Sequence, residues 1–238
     1  KVLITGASGG IGKAICEKFH ENKFILILIS SSDENLEVLK EKFGENNFYY
    51  KIDFSKNDSV DTNLSLISKD HKDISVIVNN AGITDDSLVL RMDQKKWDKV
   101  ININLTSNYK IIRELLPNML SNRYGKIIGI SSVVATSGNP GQANYVASKS
   151  GMLGLYKSIA HEVARRNINV NIVSPGYIVT SMTNKLNENQ KNQILEKIPM
   201  QKFGNPNDIA NMVYFLSSDE SSYITGQNFN VNGGMLMF

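Results

Sequence analysis

Apolar runs of strand length alternate with segments of helical period along the whole chain. Seven runs read as strands: KVLIT (1–5), FILILIS (24–30), FYYKI (48–52), ISVIVNN (74–80), GKIIGISS (125–132), INVNIVS (168–174) and QNFNV (227–231). Amphipathic stretches lie between them at 11–22, 33–43, 94–121, 144–166 and 207–217. Short apolar strands separated by helices imply βαβ units and a parallel sheet buried on both faces. With right-handed crossovers, this predicts a doubly wound α/β sheet of about seven strands with helices on both faces. No Pro/Ser linker, repeat or low-complexity segment interrupts the alternation, so residues 1–238 read as a single domain. The least regular stretch, 176–206, leaves the sixth strand. Ligands of open α/β sheets sit outside the carboxyl ends of the strands, so this stretch is expected to form a substrate lid.

Composition narrows the function classes. The 238 residues are 41% hydrophobic, enough for a sizeable core. Lys+Arg 26 against Asp+Glu 23 leaves a net charge of +3, with no basic run of the kind that marks nucleic-acid binding. No stretch approaches ~18 consecutive apolar residues, so no membrane span is expected. Cys16 is the only cysteine, which excludes an internal disulfide; beside Ile15 and Phe19 it reads as a core residue. His20, His71 and His161 have no partners at metal-ligand spacing, so no metal is expected. The chain opens at Lys1, already within an apolar run, which leaves open a preceding segment, a targeting peptide included.

Candidate chemistry begins at the first turn. The first strand runs into T-G-A-S-G-G-I-G (5–12), with Gly6, Ser8, Gly9, Gly10, Ile11 and Gly12 ahead of a helix. Glycines permit a tight turn and close approach of backbone N–H groups to a phosphate, and the helix N-terminus adds partial positive charge. An ordinary strand-to-helix turn is the plainer alternative. Placement at the first strand of a Rossmann-like half favours a dinucleotide. The second strand ends I-S-S-S-D (29–33), placing neutral Ser30 and Ser31 where a carboxylate would repel a 2′-phosphate. Asp33 reads as a helix-start residue, which makes NADP(H) the expected cofactor.

Tyr145 and Lys149 are four residues apart, on one face of the helix starting near Asn144. A free tyrosine titrates near ~10, and a neighbouring cation lowers that value. Moving it toward ~7 would be worth about 4 kcal/mol and would fit general acid–base catalysis. Such a pair also occurs on solvated helix faces. Ser132 at the end of the fifth strand, the run Asn79-Asn80-Ala81-Gly82 at the end of the fourth, and Asn104 shift the balance toward chemistry.

The glycine spacing and the Tyr-x-x-x-Lys pair resemble the short-chain dehydrogenase/reductase family. That resemblance implies a catalytic tetrad of Asn104, Ser132, Tyr145 and Lys149, the serine thirteen residues before the tyrosine orienting a substrate carbonyl. Asn104 would anchor a proton-relay water beside the lysine. It further implies that Asp53 contacts adenine, and that Asn79, Ala81 and Gly82 line the dinucleotide. Pro175, Gly176, Ile178 and Thr180 would bind the nicotinamide end. Gly9 stands where NADP-using relatives often carry an arginine.

Within that family the chain resembles the bacterial-type 3-oxoacyl-acyl carrier protein reductases. NNAGITDDSLVLRM (79–92), NRYGKII (122–128), GNPGQANYVASKSGMLG (138–154) and ITGQNFNVNGGMLMF (224–238) carry the likeness. It implies NADPH-dependent reduction of 3-oxoacyl thioesters in fatty acid synthesis, with the acidic acyl carrier protein as partner. Arg123 and Arg166 match carrier-docking arginines, or serve surface solubility alone. Residues 180–190 are expected to cover the acyl chain, and the resemblance implies a homotetramer. The setting would be cytoplasmic, or an organelle stroma or matrix if a targeting segment precedes residue 1. The Tyr–Lys spacing argues against the related enoyl reductases. Other carbonyl reductases, of sugars, steroids or quinones, and a non-catalytic cofactor-binding protein are the alternatives.

Overall fold

The computed structural model describes residues 1–180, 183 and 187–237 and, of residues 57–59, the backbone alone. Its strands are β1 (Val2–Thr5), β2 (Leu26–Ser30), β3 (Phe48–Lys51), β4 (Val76–Asn79), β5 (Gly125–Ile130), β6 (Ile168–Pro175) and β7 (Asn228–Val231). They form one parallel sheet in the order β3-β2-β1-β4-β5-β6-β7. The chain winds outward from β1 to β3, crosses to the far flank of β1, and winds outward again from β4 to β7. The reversal between β1 and β4 opens the crevice in which ligands of such sheets bind.

The first helices are α1 (Gly10–Glu21), α2 (Asp33–Phe43), α3 (Asn57–Asp70) and α4 (Gln94–Ile101). There follow α5 (Ser107–Asn122), α6 (Val134–Ser137), α7 (Ala143–Val163), α8 (Glu188–Leu195) and α9 (Pro206–Ser217). Strand residues alternate between two cores. Val2, Ile4, Leu26 and Leu28 pack with α1, α2 and α9; Leu3, Ile27, Ile29 and Ile77 pack with α3, α5 and α7. Both faces of the central strands are therefore apolar, as the near-continuous Ile/Leu/Val runs require.

Three features differ from the sequence reading. Helix α3 carries little apolar residue beyond Val60, Leu64 and Ile67, yet these lie at i, i+4 and i+7 and are all buried. That narrow stripe outweighs the weak helix propensity of the Asn, Ser and Thr around it. The stretch 94–121 is not one helix: a π-helical turn, Asn102–Thr106, separates α4 from α5. Within 176–206, helix α8 starts from an Asn187–Gln190 capping box. Of the expected cover 180–190, residues 181, 182 and 184–186 lie outside the described residues.

Candidate active site

The turn after β1 is built by steric exclusion. Gly6 has φ +62°, and a Cβ on it would stand 2.9 Å from the Ala81 Cα. A Cβ on Gly12 would stand 2.1 Å from the Gly6 carbonyl oxygen, so only glycine lets α1 start this close behind the turn. Gly9 caps α1 without a side-chain hydrogen bond, and the first turn holds no acidic residue. The leading N–H groups of α1 are thus left for an anion, as a pyrophosphate requires. These features fit the expected dinucleotide. Thr180, after β6, closes on the turn, its Cγ2 3.0 Å from where a Gly10 Cβ would be.

The crevice is stitched across the switch point. Thr5 Oγ1 accepts from the N–H groups of Asn80 and Ala81, both at 3.0 Å, and Asn80 Nδ2 donates to the carbonyls of Thr5 and Gly6 at 3.1 and 3.0 Å. Asn80, named in the sequence reading only as part of the 79–82 run, is a structural clamp. Ser8 and Ser30 hydroxyls meet at 3.2 Å, joining the glycine turn to the end of β2. Ser31 is exposed, and Ser32 caps α2, accepting from the Asn35 N–H at 3.3 Å. Asp33 is the first residue of α2 and pairs with Lys51, in keeping with a helix-start role. Asp53 accepts from the Ser55 N–H and Oγ at 3.0 and 2.6 Å. Ile11 packs its side chain on the α1 core.

The four expected catalytic residues come from three places that the fold brings together. Asn104 sits in the π turn, fully buried. Its Oδ1 accepts from the Ile83 N–H at 2.9 Å, and its Nδ2 donates to the Ile83 carbonyl at 2.9 Å and to Ser148 Oγ at 3.1 Å. Ser132 follows β5, where its Oγ accepts from the Val134 N–H at 3.4 Å, and its side chain lies close enough to Tyr145, on the first turn of α7, to favour the phenolate. Lys149, one turn on, donates to the Ile130 carbonyl at 2.7 Å, with its Nζ 5.8 Å from the Tyr145 ring centroid. Gly82 is the floor between them: a Cβ there would lie 3.2 Å from Lys149 Nζ and 3.5 Å from Asn104 Oδ1.

The electrostatics correct one expectation. Burial raises the Tyr145 hydroxyl above its ordinary value; the nearby Ser132 side chain pulls it back and Asp86 adds to the rise. The net shift is upward, so burial outweighs any lowering by the Lys149 cation, whose ammonium donates to the Ile130 carbonyl. Burial lowers Lys149 itself to about 8. At neutral pH, Tyr145 therefore holds a proton and Lys149 a charge, the states needed by a proton donor and its cationic support.

Other expected site residues separate. The Asn79 side chain is in the core, 1% exposed, donating to the Tyr156 hydroxyl at 2.8 Å, so its carboxamide does not line the crevice. Strand alternation puts Asn80, not Asn79, toward the turn. Ile178 is likewise buried among apolar side chains, leaving its backbone alone for a ligand. Pro175 ends β6, and Gly176 is pressed against Asn232, whose Cα a Cβ would meet at 2.8 Å. Arg123 and Arg166 are exposed and adjacent through Asn167, whose Nδ2 donates to the Arg123 carbonyl at 3.4 Å. Both precede the amino ends of β5 and β6, whereas Ser132 follows the carboxyl end of β5. The length of β5 puts them about 20 Å from this chain's own tetrad. Ser148, absent from the sequence reading, joins the site by accepting from Asn104 and donating to the Tyr145 carbonyl at 2.7 Å.

A family model described as Enoyl-(Acyl carrier protein) reductase matches residues 6–236. The chain is 50% identical to a 3-oxoacyl-[acyl-carrier-protein] reductase of Rickettsia felis over 235 residues, covering 99% of this chain and 96% of the relative. It is 44% identical to a reductase of the same name from Staphylococcus epidermidis, covering 99% and 98%. Nodulation protein G of a Rhizobium species is also 44% identical, covering 100% and 97%. Likeness of this extent, over nearly the whole chain, leaves one assignment: the chain belongs to the short-chain dehydrogenase/reductase family.

Proposed function

We propose that this protein reduces 3-oxoacyl thioesters on acyl carrier protein to 3-hydroxyacyl thioesters, with NADPH, in fatty acid synthesis. The observation that carries the reading is the meeting of Ser132 and Tyr145 at one crevice, with the buried Lys149 ammonium one helical turn on and 5.8 Å from the Tyr145 ring centroid. When bound, the nicotinamide cofactor supplies hydride. The chain does the rest. Ser132 and Tyr145 donate hydrogen bonds to the substrate carbonyl oxygen, and Tyr145 gives it a proton as negative charge develops. The Lys149 charge stabilises the phenolate left behind. Asn104, fixed by Ile83 and Ser148, holds the far side of the lysine pocket.

The relatives' printed names favour a 3-oxoacyl over an enoyl substrate, as does the four-residue Tyr–Lys spacing. Glycine-turn geometry and the carboxylate-free ends of β2 suit NADPH, with Ser30 and Ser31 as the neutral pair near a 2′-phosphate. A homotetramer accompanies this reading, supported by the exposed apolar Val89 and Leu90 and by the half-exposed edge strand β7. So does a cytoplasmic setting, or a stroma or matrix behind a targeting segment; no described helix is long and apolar enough to cross a membrane. Arg123 and Arg166, remote from this chain's own tetrad, would dock a carrier serving a neighbouring subunit.

Substrate class is tested by NADPH oxidation with acetoacetyl-CoA, crotonyl-CoA, a sugar ketone and a quinone. The expected order is turnover with the 3-oxo thioester alone. Preference for crotonyl-CoA, or for a non-thioester carbonyl, would replace the proposed substrate.

A further inference from the structure

A buried chain of hydrogen bonds leads from the end of β4 to the catalytic asparagine. Asn79 Nδ2 donates to the Tyr156 hydroxyl at 2.8 Å, Tyr156 donates to Asn108 Oδ1 at 2.7 Å, and Asn108 Nδ2 donates to the Asn104 carbonyl at 2.8 Å. The four residues are 0–2% exposed. Because the tyrosine accepts from Asn79, its one proton is committed to Asn108, which fixes which end of that amide faces Asn104. Space for the ring comes from β5, where a Cβ on Gly129 would lie 2.6 Å from the Tyr156 Cζ.

The last bond falls where helix geometry is irregular. In the π turn the Ser107 N–H reaches back five residues, to the Asn102 carbonyl. The turn presents the Asn104 carboxamide to Ile83 and Ser148, beside the space that Asn104 Oδ1 and Lys149 Nζ both border at Gly82. Single π turns inside α-helices are rare and fall frequently at functional sites. The buried chain from Asn79 through Tyr156 to Asn108 holds this turn from the core side, in a low-dielectric interior where its hydrogen bonds are strong, with Asn79 Oδ1 alone left without a partner.

We propose that Asn108, oriented by Tyr156 and Asn79, is a positioning residue for the reduction: it holds the Asn104 carbonyl and so fixes the Asn104 amide against the lysine pocket. Neither Asn108 nor Tyr156 touches the reacting atoms. Their effect passes through Asn104 to the surroundings of Lys149, and hence to the rate and its pH dependence. The inference rests on the reductase reading.

The test is a double-mutant cycle on acetoacetyl-CoA reduction with Asn108→Ala, Asn104→Ala and the pair, beside Tyr156→Phe as the milder change. Folding is checked by circular dichroism and thermal melting, and cofactor binding by fluorescence titration with NADPH. Asn108→Ala is expected to lower kcat about tenfold and Tyr156→Phe about threefold, with KM and the NADPH Kd within about twofold of wild type and the alkaline limb of the kcat profile displaced. In the Asn104→Ala background, Asn108→Ala is expected to cause no further loss. Unchanged kcat and pH profile in the folded Asn108→Ala protein, or in Tyr156→Phe should the alanine variant not fold, would overturn the inference. So would losses that multiply in the pair. An inert wild type would instead remove the reductase reading and the inference with it.

Discussion

Lys149 is a cation held in a dry pocket, and its low pKa of about 8 has consequences of definite sign. An unfolded lysine titrates near ~10.4, so between pH 8 and that value the unfolded chain binds a proton that the folded chain does not. Stability from this group therefore rises with pH across that window. The burden of the buried charge, at most about 3 kcal/mol, is full below pH 8. Lys149→Met is expected to melt above wild type at pH 7, with the gap closing as pH approaches 10; a constant gap would contradict the assignment. The same ionisation predicts that kcat/KM for reduction falls above about pH 8, as the support for the phenolate is lost. Gly9 offers a second residue-scale test. Its φ of −72° and ψ of 165° suit any residue, and a Cβ there would meet only the Gly6 carbonyl, at 3.5 Å. Gly9→Arg should raise the NADPH-over-NADH ratio of kcat/KM about tenfold by adding charge near the 2′-phosphate, with kcat held. An unchanged ratio would place that phosphate elsewhere. The placement of Tyr145, Lys149 and the glycines was legible because it is tied to spacing. That of Asn79 and Asn80 was not, because adjacent identical residues on a strand differ only in the face they take.

At the scale of elements, strand order and helix layers followed from the alternation of apolar runs, and most boundaries lie within two residues of those read from the pattern. Helix α3 escaped because its period is carried by three residues among polar ones. Those three matter: Leu64 is 1% exposed, and Leu64→Ala is expected to lower unfolding free energy by about 2–4 kcal/mol in urea titration, without altering the NADPH Kd. A change below 0.5 kcal/mol would mean that α3 packs more loosely than described. The π turn left no mark either. Asn102–Thr106 continues the amphipathic pattern of its neighbours, and only the bonds of Asn104 and Asn108 reveal why the helix departs from regular geometry there. Tertiary hydrogen bonds, not local propensity, decide such a turn.

For the whole molecule, the doubly wound topology explains why the groups proposed as catalytic, from α7, the π turn and the β5 exit, meet at one crevice. All lie at the carboxyl ends of parallel strands flanking the switch between β1 and β4. Strand direction also carried a signal that the sequence reading of Arg123 and Arg166 did not use. Both precede strands, which in a parallel sheet assigns them to the end away from the crevice. Tyr145 is the proposed proton donor at that crevice. The most direct test is single-turnover NADPH oxidation on acetoacetyl-CoA by wild type and Tyr145→Phe, with cofactor affinity measured on both. Loss of at least about a hundredfold in rate at unchanged NADPH Kd is predicted. A phenylalanine variant that turns over at the wild-type rate would show that the proton comes from elsewhere and contradict the mechanism.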